Sequence, residues 1–218
     1  MSLFPYNTLE KFVFAALTLV IAFSVHEFAH AFTAWKFGDN TAKNQGRLTL
    51  NPIKHIDPIG AIMIFVVGFG WARPVPVNRF FFKKPRLAGI LVSFAGPLSN
   101  FILASIGFIV FFSIGRFGAD GAYAETMIQF LNTFIWLNLV LCVFNLMPLP
   151  PLDGYRIIED LAPGGLRAKM TQYEQYGTFI FLILVITPLG DYTIWPVFQV
   201  ILPALADGMY QFFLSFFV

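Results

Sequence analysis

Long apolar stretches alternate with short polar intervals along this chain, and the first stretch is long enough to cross a membrane as a helix. Asn7 and Glu10 have the spacing of a capping box, which predicts that the helix begins beside them. It can run to Phe37, where Gly38 is a natural C-terminal stop. The pattern therefore predicts a first transmembrane helix between these limits.

Further apolar segments predict more helices after the first one. They cover residues 86–114, 125–147, 177–189 and 194–218. Pro85 suits the first turn of the second span, and Gly96-Pro97 predict a kink within it. The fold class predicted from this pattern is an all-α polytopic membrane protein with about four to five transmembrane segments. The polar stretch at 155–174 is expected to be a loop.

The interval between the first two spans has a different pattern. Residues 59–69 are apolar, but these eleven residues are too few for a helical span. Turn-forming residues then follow, namely Gly68, Gly70, Pro74 and Pro76. The pattern predicts a small membrane-associated β-hairpin or re-entrant element over 60–82, which is tolerated at membrane depth only where protein buries it or water reaches it.

Composition strengthens the membrane assignment. Hydrophobic residues make up 57% of the chain and charged residues only 12%, against about a quarter charged in ordinary soluble domains. We expect one membrane-embedded domain over 1–218, with a catalytic core at about 8–160 and C-terminal apolar segments at about 175–218. The single cysteine, Cys142, excludes an intramolecular disulfide. The lipid bilayer is an expected partner, and no nucleic-acid partner is expected.

Basic residues are distributed unevenly between the two predicted sides of the membrane. Residues 36–86 and 148–175 hold twelve of the lysines and arginines, whereas only Lys11 and Arg116 fall on the other side. The positive-inside rule then places the N-terminus outside and the C-terminal half of the first helix toward the cytoplasm. We expect a multi-pass protein of the cell membrane, if the source is a prokaryote.

The first predicted span carries candidate chemistry, because residues 26–30 read His-Glu-Phe-Ala-His. On a helix, His26 and His30 lie four residues apart on one face, so both imidazoles can bind one metal ion beside Glu27. Ionisable side chains at membrane depth are costly and by default indicate function. The pattern is typical of a zinc hydrolase, in which Glu27 is the general base that takes a proton from water.

A catalytic zinc normally takes three protein ligands, so a third must come from elsewhere in the chain. Chemically suitable candidates are His55, Asp57, Asp153 and the acids within 155–174. Asp153 is favoured because prolines precede it closely and Gly154 follows it, which predicts an unwound chain that can turn the carboxylate into the bundle. We expect one zinc ion per chain.

Other polar residues have both catalytic and structural interpretations. Asn145 can donate a hydrogen bond to a developing oxyanion, or it can satisfy backbone groups that Pro148 leaves unpaired. Asn100 is expected to form hydrogen bonds between helices near the site, and Asn132 and Asn138 are expected to join helices in the same way. His55 is expected to be structural rather than a ligand.

Several motifs occur together in this chain. They are His-Glu-Phe-Ala-His at 26–30, Gly-Pro-Leu-Ser-Asn at 96–100, Asn-Leu-Met-Pro-Leu-Pro-Pro-Leu-Asp-Gly at 145–154, and the stretches at 51–60 and 70–77. This set resembles the signature of the site-2 protease family of intramembrane zinc metalloproteases, peptidase family M50. The resemblance covers roughly 15–160 and is closest to short members of the family, which lack an inserted PDZ domain and an appended CBS domain.

The resemblance implies a role for each matching residue. His26, His30 and Asp153 would bind zinc, Glu27 would be the catalytic acid/base, and Asn145 would assist at the oxyanion. It also implies that the substrate is a transmembrane protein or peptide, cleaved in regulated intramembrane proteolysis or in the clearance of signal-peptide remnants. The hairpin around 70–77 would offer an edge to an extended substrate strand.

Two other functions use the same residues. A metal-handling or transport protein would need polar residues across the whole membrane, but Thr18 is the only one that the first span offers before Ser24. A catalytically inactive scaffold that binds transmembrane helices would have no use for Glu27. Both alternatives are therefore less favoured than an enzyme.

Overall fold

The structure of the protein, a computed structural model, describes residues 8–67, 70–117 and 121–217. The described chain is predominantly helical. Its α-helices in chain order are α1 (Leu9–Lys36), α2 (Thr41–Asn44), α3 (Pro58–Val67), α4 (Pro85–Arg116), α5 (Ala122–Asn145), α6 (Asp153–Leu161), α7 (Gly164–Ile186), α8 (Leu189–Thr193) and α9 (Leu202–Phe217). A short π-helical turn, Val197–Ile201, leads directly into α9.

Four helical segments in the described chain are long and apolar enough to cross a membrane: α1, α4, α5 and Val197–Phe217, which combines the π turn with α9. This confirms the prediction of an all-α polytopic membrane protein. The predicted apolar segment at 177–189 covers the second half of α7 and the turn into α8, and α7 is not among these four segments.

Local chemistry explains where α1 begins and ends. The Thr8 side chain accepts a hydrogen bond from the Lys11 amide at 3.3 Å and caps the helix, whereas Asn7 lies outside the described residues. After Lys36 the chain turns at Gly38, whose φ of 104° favours glycine. The predicted stop at Gly38 is therefore confirmed.

α4 is the central helix of the bundle, since it packs against α1, α5, α6 and α9. Small buried residues on α4 permit the close approach of its neighbours: Ala88, Gly89, Ser93, Gly96 and Ser99. Pro97 lies inside this helix, as the sequence indicated. Because α4 touches both α1 and α6, it can bring side chains from distant parts of the chain to one place.

The predicted β-hairpin over 60–82 is not present in the described residues. Pro58–Val67 form α3 instead, and Asp57 caps this helix by accepting hydrogen bonds from the amides of Ile59 and Gly60. Residues 70–78 are extended and belong to no regular strand. Ala72 forms an isolated antiparallel β-bridge with Ile56. Glycines and prolines at 68–76 indicated a change of direction, but the prolines prevent regular strand pairing.

The predicted loop at 155–174 is also wrong, because these residues belong to α6 and α7. Ion pairs that its polar residues form, with one another and with Arg79, stabilise the helices outside the apolar spans. Asp160, for example, lies 2.7 Å from Arg79 and 3.1 Å from Arg167. Arg156 on α6 pairs with Glu174 on α7 at 3.1 Å.

Candidate metal centre

Three side chains from two helices converge at one point of the bundle. Asp153 Oδ2 lies 3.2 Å from His26 Nε2 and 3.3 Å from His30 Nε2. The two Nε2 atoms lie 3.0 Å apart. Both histidines are buried, and Asp153 is largely buried. Within the described residues, these are the three His, Cys, Asp or Glu side chains close enough together to hold a metal ion.

Hydrogen bonds to the other ring nitrogens fix the orientation of both imidazoles. His30 Nδ1 donates to the backbone carbonyl of Val92 at 2.6 Å, since a carbonyl can only accept. His26 Nδ1 lies 2.7 Å from Asn100 Oδ1 and donates to it. Both Nε2 atoms therefore present lone pairs to the Asp153 carboxylate, an arrangement that a cation between them would stabilise.

Asn100 belongs to a longer chain of hydrogen bonds between helices. Its Nδ2 donates to Asn138 Oδ1 at 3.1 Å, and Asn138 Nδ2 donates to the Phe134 carbonyl at 2.8 Å. Both asparagines are fully buried. This confirms the interhelical role predicted for Asn100 and Asn138, and this series of hydrogen bonds ends on the candidate metal ligand His26. The same prediction is wrong for Asn132, whose side chain has no hydrogen-bond partner within the described residues.

Asp153 is brought to the site by the start of α6. The helix begins at Asp153 itself, without a side-chain cap, so the carboxylate is not used to cap the helix. The buried Oδ2 atom of Asp153 has no conventional hydrogen-bond donor.

The three candidate ligands fit a zinc ion. Zinc takes histidine nitrogen and carboxylate oxygen at about 2.0–2.2 Å, so two ligand atoms of a tetrahedral site lie about 3.3 Å apart. The measured separations of 3.0, 3.2 and 3.3 Å are close to this value. Two neutral imidazoles and one carboxylate are also a common donor set of catalytic zinc sites.

Glu27 lies beside the three candidate ligands and is buried. Its Oε2 accepts a hydrogen bond from the backbone amide of Val75 at 2.9 Å. The extended segment around Val75 is held at two further points: Arg47 donates to the Arg73 carbonyl at 2.5 Å, and Asp39 accepts from the Asn78 amide at 2.6 Å. These contacts position the segment directly over the site.

A cavity of about 540 Å³ opens between the candidate ligands and the extended segment. Glu27 and Asn145 line it together with the three candidate ligands, while Phe23, Leu141, Phe144 and Phe181 give it apolar walls. Asn145 Nδ2 donates to the Leu141 carbonyl at 2.9 Å, so one of its two amide hydrogens remains for another acceptor. The cavity can accommodate several side chains of a peptide.

The other sequence candidates for the third ligand have different partners. His55 is buried, and its Nε2 lies 2.6 Å from the Thr49 carbonyl. Asp57 caps α3, and Asp160 and Glu174 pair with arginines. Sequence reasoning missed the Val92 carbonyl and the Val75 amide, because backbone groups carry no signal in the residue letters.

Gly96 provides a test of how closely α4 approaches the site. A Cβ atom at this position would lie 2.6 Å from His26 Nε2 and even closer to His30 Nε2. We expect Gly96→Ala to weaken zinc binding by at least about 10- to 100-fold, as for loss of a group that orients a ligand. The alanine does not weaken the helix itself, because it has the higher helix propensity.

Gly115→Ala is the matched control on the same helix, since a Cβ atom there would meet nothing within 4 Å. The measurement is the zinc content per chain after dialysis of the detergent-purified protein against graded concentrations of a chelator. Equal zinc retention by the two variants would contradict the close approach at Gly96.

Comparisons with known proteins agree with this geometry. The sequence pattern of Peptidase family M50 matches residues 14–124 and 112–187. "Putative zinc metalloprotease YwhC" of Bacillus subtilis (strain 168) is 60% identical over 198 residues, which is 90% of each chain. "Putative zinc metalloprotease Rip2" of Mycolicibacterium smegmatis is 33% identical over 191 residues, 84% of this chain and 71% of its own. No solved structure matches the chain.

A helical membrane bundle with a His, His and Asp trio beside a buried glutamate defines a membrane-embedded metallopeptidase. The chain belongs to peptidase family M50. The protein is therefore an intramembrane zinc metalloprotease, as predicted, and neither an inactive scaffold nor a metal-handling protein is favoured.

Proposed function

We propose that His26, His30 and Asp153 bind the zinc ion and that Glu27 is the catalytic acid/base. The observation that carries this proposal is the convergence of three ligand atoms within 3.3 Å of one another beside the Glu27 carboxylate. When bound, zinc lowers the pKa of water and polarises the scissile carbonyl. Glu27 takes the proton from the attacking water and delivers it to the leaving amine.

The surrounding residues support this division of roles. The Val75 amide holds the Glu27 carboxylate at 2.9 Å and fixes its direction. Asn145 lines the same cavity and keeps one amide hydrogen with which to stabilise the developing oxyanion. Asn100 and the Val92 carbonyl are positioning groups, because each acts through the imidazole to which it bonds.

The substrate in this proposal is a transmembrane or membrane-proximal segment that enters the cavity in extended form. The cavity walls are apolar and the neighbouring segment after Gly70 is itself extended, so an unwound peptide can lie along it. A peptide bond inside a helix is shielded by its own turns, and therefore a segment that unwinds easily is the better substrate. Such cleavage serves regulated intramembrane proteolysis or the clearance of signal-peptide remnants.

The active site in this proposal faces the cytoplasm. His30 lies six residues before the end of α1, or about 9 Å along the helix axis. The same end of the bundle carries Lys36 and the basic residues of the segments after α1, so the positive-inside rule supports a cytoplasmic position. This orientation places the N-terminus outside the cell.

Two synthetic transmembrane peptides of equal composition test the choice of substrate. One carries a Gly-Gly pair at the middle of its apolar helix, and the other carries the pair at its end. We expect the first to be cleaved about 10- to 30-fold faster, because two central glycines make the helix about 2 kcal/mol easier to unwind.

The measurement is cleavage by the detergent-purified enzyme, mapped by mass spectrometry, with and without a zinc chelator. Cleavage beside the central pair that stops on chelation supports the proposal. Equal rates for the two peptides, or cleavage only outside the apolar segment, would contradict it.

A further inference from the structure

Another ionisable group lies within a spanning segment, away from the metal centre. Asp207 is the middle residue of the 21-residue segment Val197–Phe217, so about 15 Å of helix separates it from either end. It is exposed on the surface of the bundle. An ionisable side chain in the middle of a span is costly in lipid and by default indicates function.

Asp207 lines a cavity of about 310 Å³ between α4, α5 and α9. Asn132 on α5 and Tyr210 on α9 also line it, and its other walls include Phe108, Ile135 and Trp136. Within the described residues, neither Asp207 nor Asn132 has a hydrogen-bond or ion-pair partner. The cavity thus presents an unpaired acid and an amide inside an apolar rim.

The position of this cavity separates it from the active site. Phe108 lies twelve residues beyond Gly96 on α4, which is about 18 Å along the helix axis. Contacts near the cavity fix the local packing: Phe112 packs against Tyr210 with 5.1 Å between ring centroids, and Arg116 donates to the Phe217 carbonyl at 2.6 Å. These contacts between helices hold the walls of the cavity in place, and its polar groups belong to two different helices, α5 and α9.

A second copy of the chain cannot supply a cation at this depth. The lysines and arginines of the four spanning segments all lie at their ends, at Lys11, Lys36, Arg86 and Arg116. The two histidines within a span are buried in the metal centre. A cation that pairs with Asp207 must therefore belong to another protein.

We propose that the cavity at Asp207 binds a transmembrane helix of another protein that carries a lysine or arginine near its middle. Its basic side chain pairs with Asp207 and donates a hydrogen bond to the Asn132 amide oxygen, while the apolar rim packs against the helix. Charge complementarity selects this partner, because a wholly apolar helix leaves the acid unpaired in lipid. The inference does not depend on the peptidase activity.

A designed helix provides the probe. It is a polyleucine helix of about the length of one span, with a single lysine at its middle, and its control has leucine at that position. Förster transfer between the labelled probe and the labelled full-length protein in phosphatidylcholine vesicles measures binding. We expect the lysine probe to bind about 5- to 30-fold more tightly than the leucine probe, as for polar contacts between membrane helices.

Asp207→Asn removes the charge with little change in shape, and Asp207→Leu removes the polar group as well. We expect both variants to retain zinc, which reports a correct fold, and to lose most or all of the preference for lysine. Glu125→Gln is the matched control, since Glu125 is an exposed acid in the first turn of α5, and it should keep the preference.

Three results would overturn the proposal. The first is equal binding of the lysine and leucine probes by the wild-type protein. The second is an undiminished preference for lysine in both Asp207 variants. The third is a wild-type dimer in detergent that Asp207→Leu dissociates, because a second copy would then occupy the cavity.

Discussion

Replacement of Glu27 by glutamine is expected to abolish peptide cleavage while zinc remains bound. Glutamine has nearly the same shape, and its side-chain oxygen can still accept the hydrogen bond from the Val75 amide. What it cannot do is take a proton from water. Loss of general acid/base catalysis typically costs 10²- to 10⁴-fold in rate, so we expect a decrease of at least about 100-fold.

The comparison needs three preparations of detergent-purified protein: wild type, Glu27→Gln and Glu125→Gln. Each is assayed for zinc content and for cleavage of the peptide with the central glycine pair. Glu125 is exposed at the start of α5, so its variant should cleave like the wild type. Similar cleavage by wild type and Glu27→Gln would remove Glu27 from the mechanism.

The second large effect is expected for Asp153→Ala, which should lose zinc and activity together. Removing the carboxylate leaves only the two neutral imidazoles of the candidate ligand set. Changes to groups that only orient a ligand already cost about 10- to 100-fold in metal affinity, so loss of a ligand should cost more than this. The purified variant should contain little zinc, and added zinc should not restore cleavage.

Asp57→Ala is the control for the third ligand, because Asp57 was a candidate from the sequence but caps α3 in the structure. It should retain zinc and lose only about 1 kcal/mol of stability with the cap. Chelated wild-type protein serves as the folded reference for Asp153→Ala in size-exclusion chromatography. An Asp153→Ala variant that holds zinc as tightly as wild type would place the third ligand elsewhere.

The sequence predicted the spanning helices and three candidate ligands because both carry strong signals. Apolar segments of more than 20 residues have few alternatives to a membrane helix, which explains the close agreement over α1, α4 and α5. His26 and His30 share a helix face at a spacing of four, and Asp153 follows a run of prolines that breaks the chain. The structure places these three side chains together.

Other parts of the fold depend on contacts that no local pattern records. Residues 155–174 are polar, and this favoured a loop, but arginines and acids distant in sequence pair with one another and allow α6 and α7 to form. The Val92 carbonyl and the Val75 amide are backbone groups, and every residue except proline has the same two groups. The residue letters therefore do not indicate their roles. Their roles depend on the packing of α4 and of the extended segment against α1.

The backbone of α4 at Gly96 packs directly against one side of the candidate metal centre. The helix leaves no room for a side chain there, since a Cβ atom at Gly96 would collide with both imidazoles. On another side, the cavity that Glu27 and Asn145 border reaches all three candidate ligands. If a substrate carbonyl and the attacking water both enter through this cavity, the order in which they enter becomes part of the reaction.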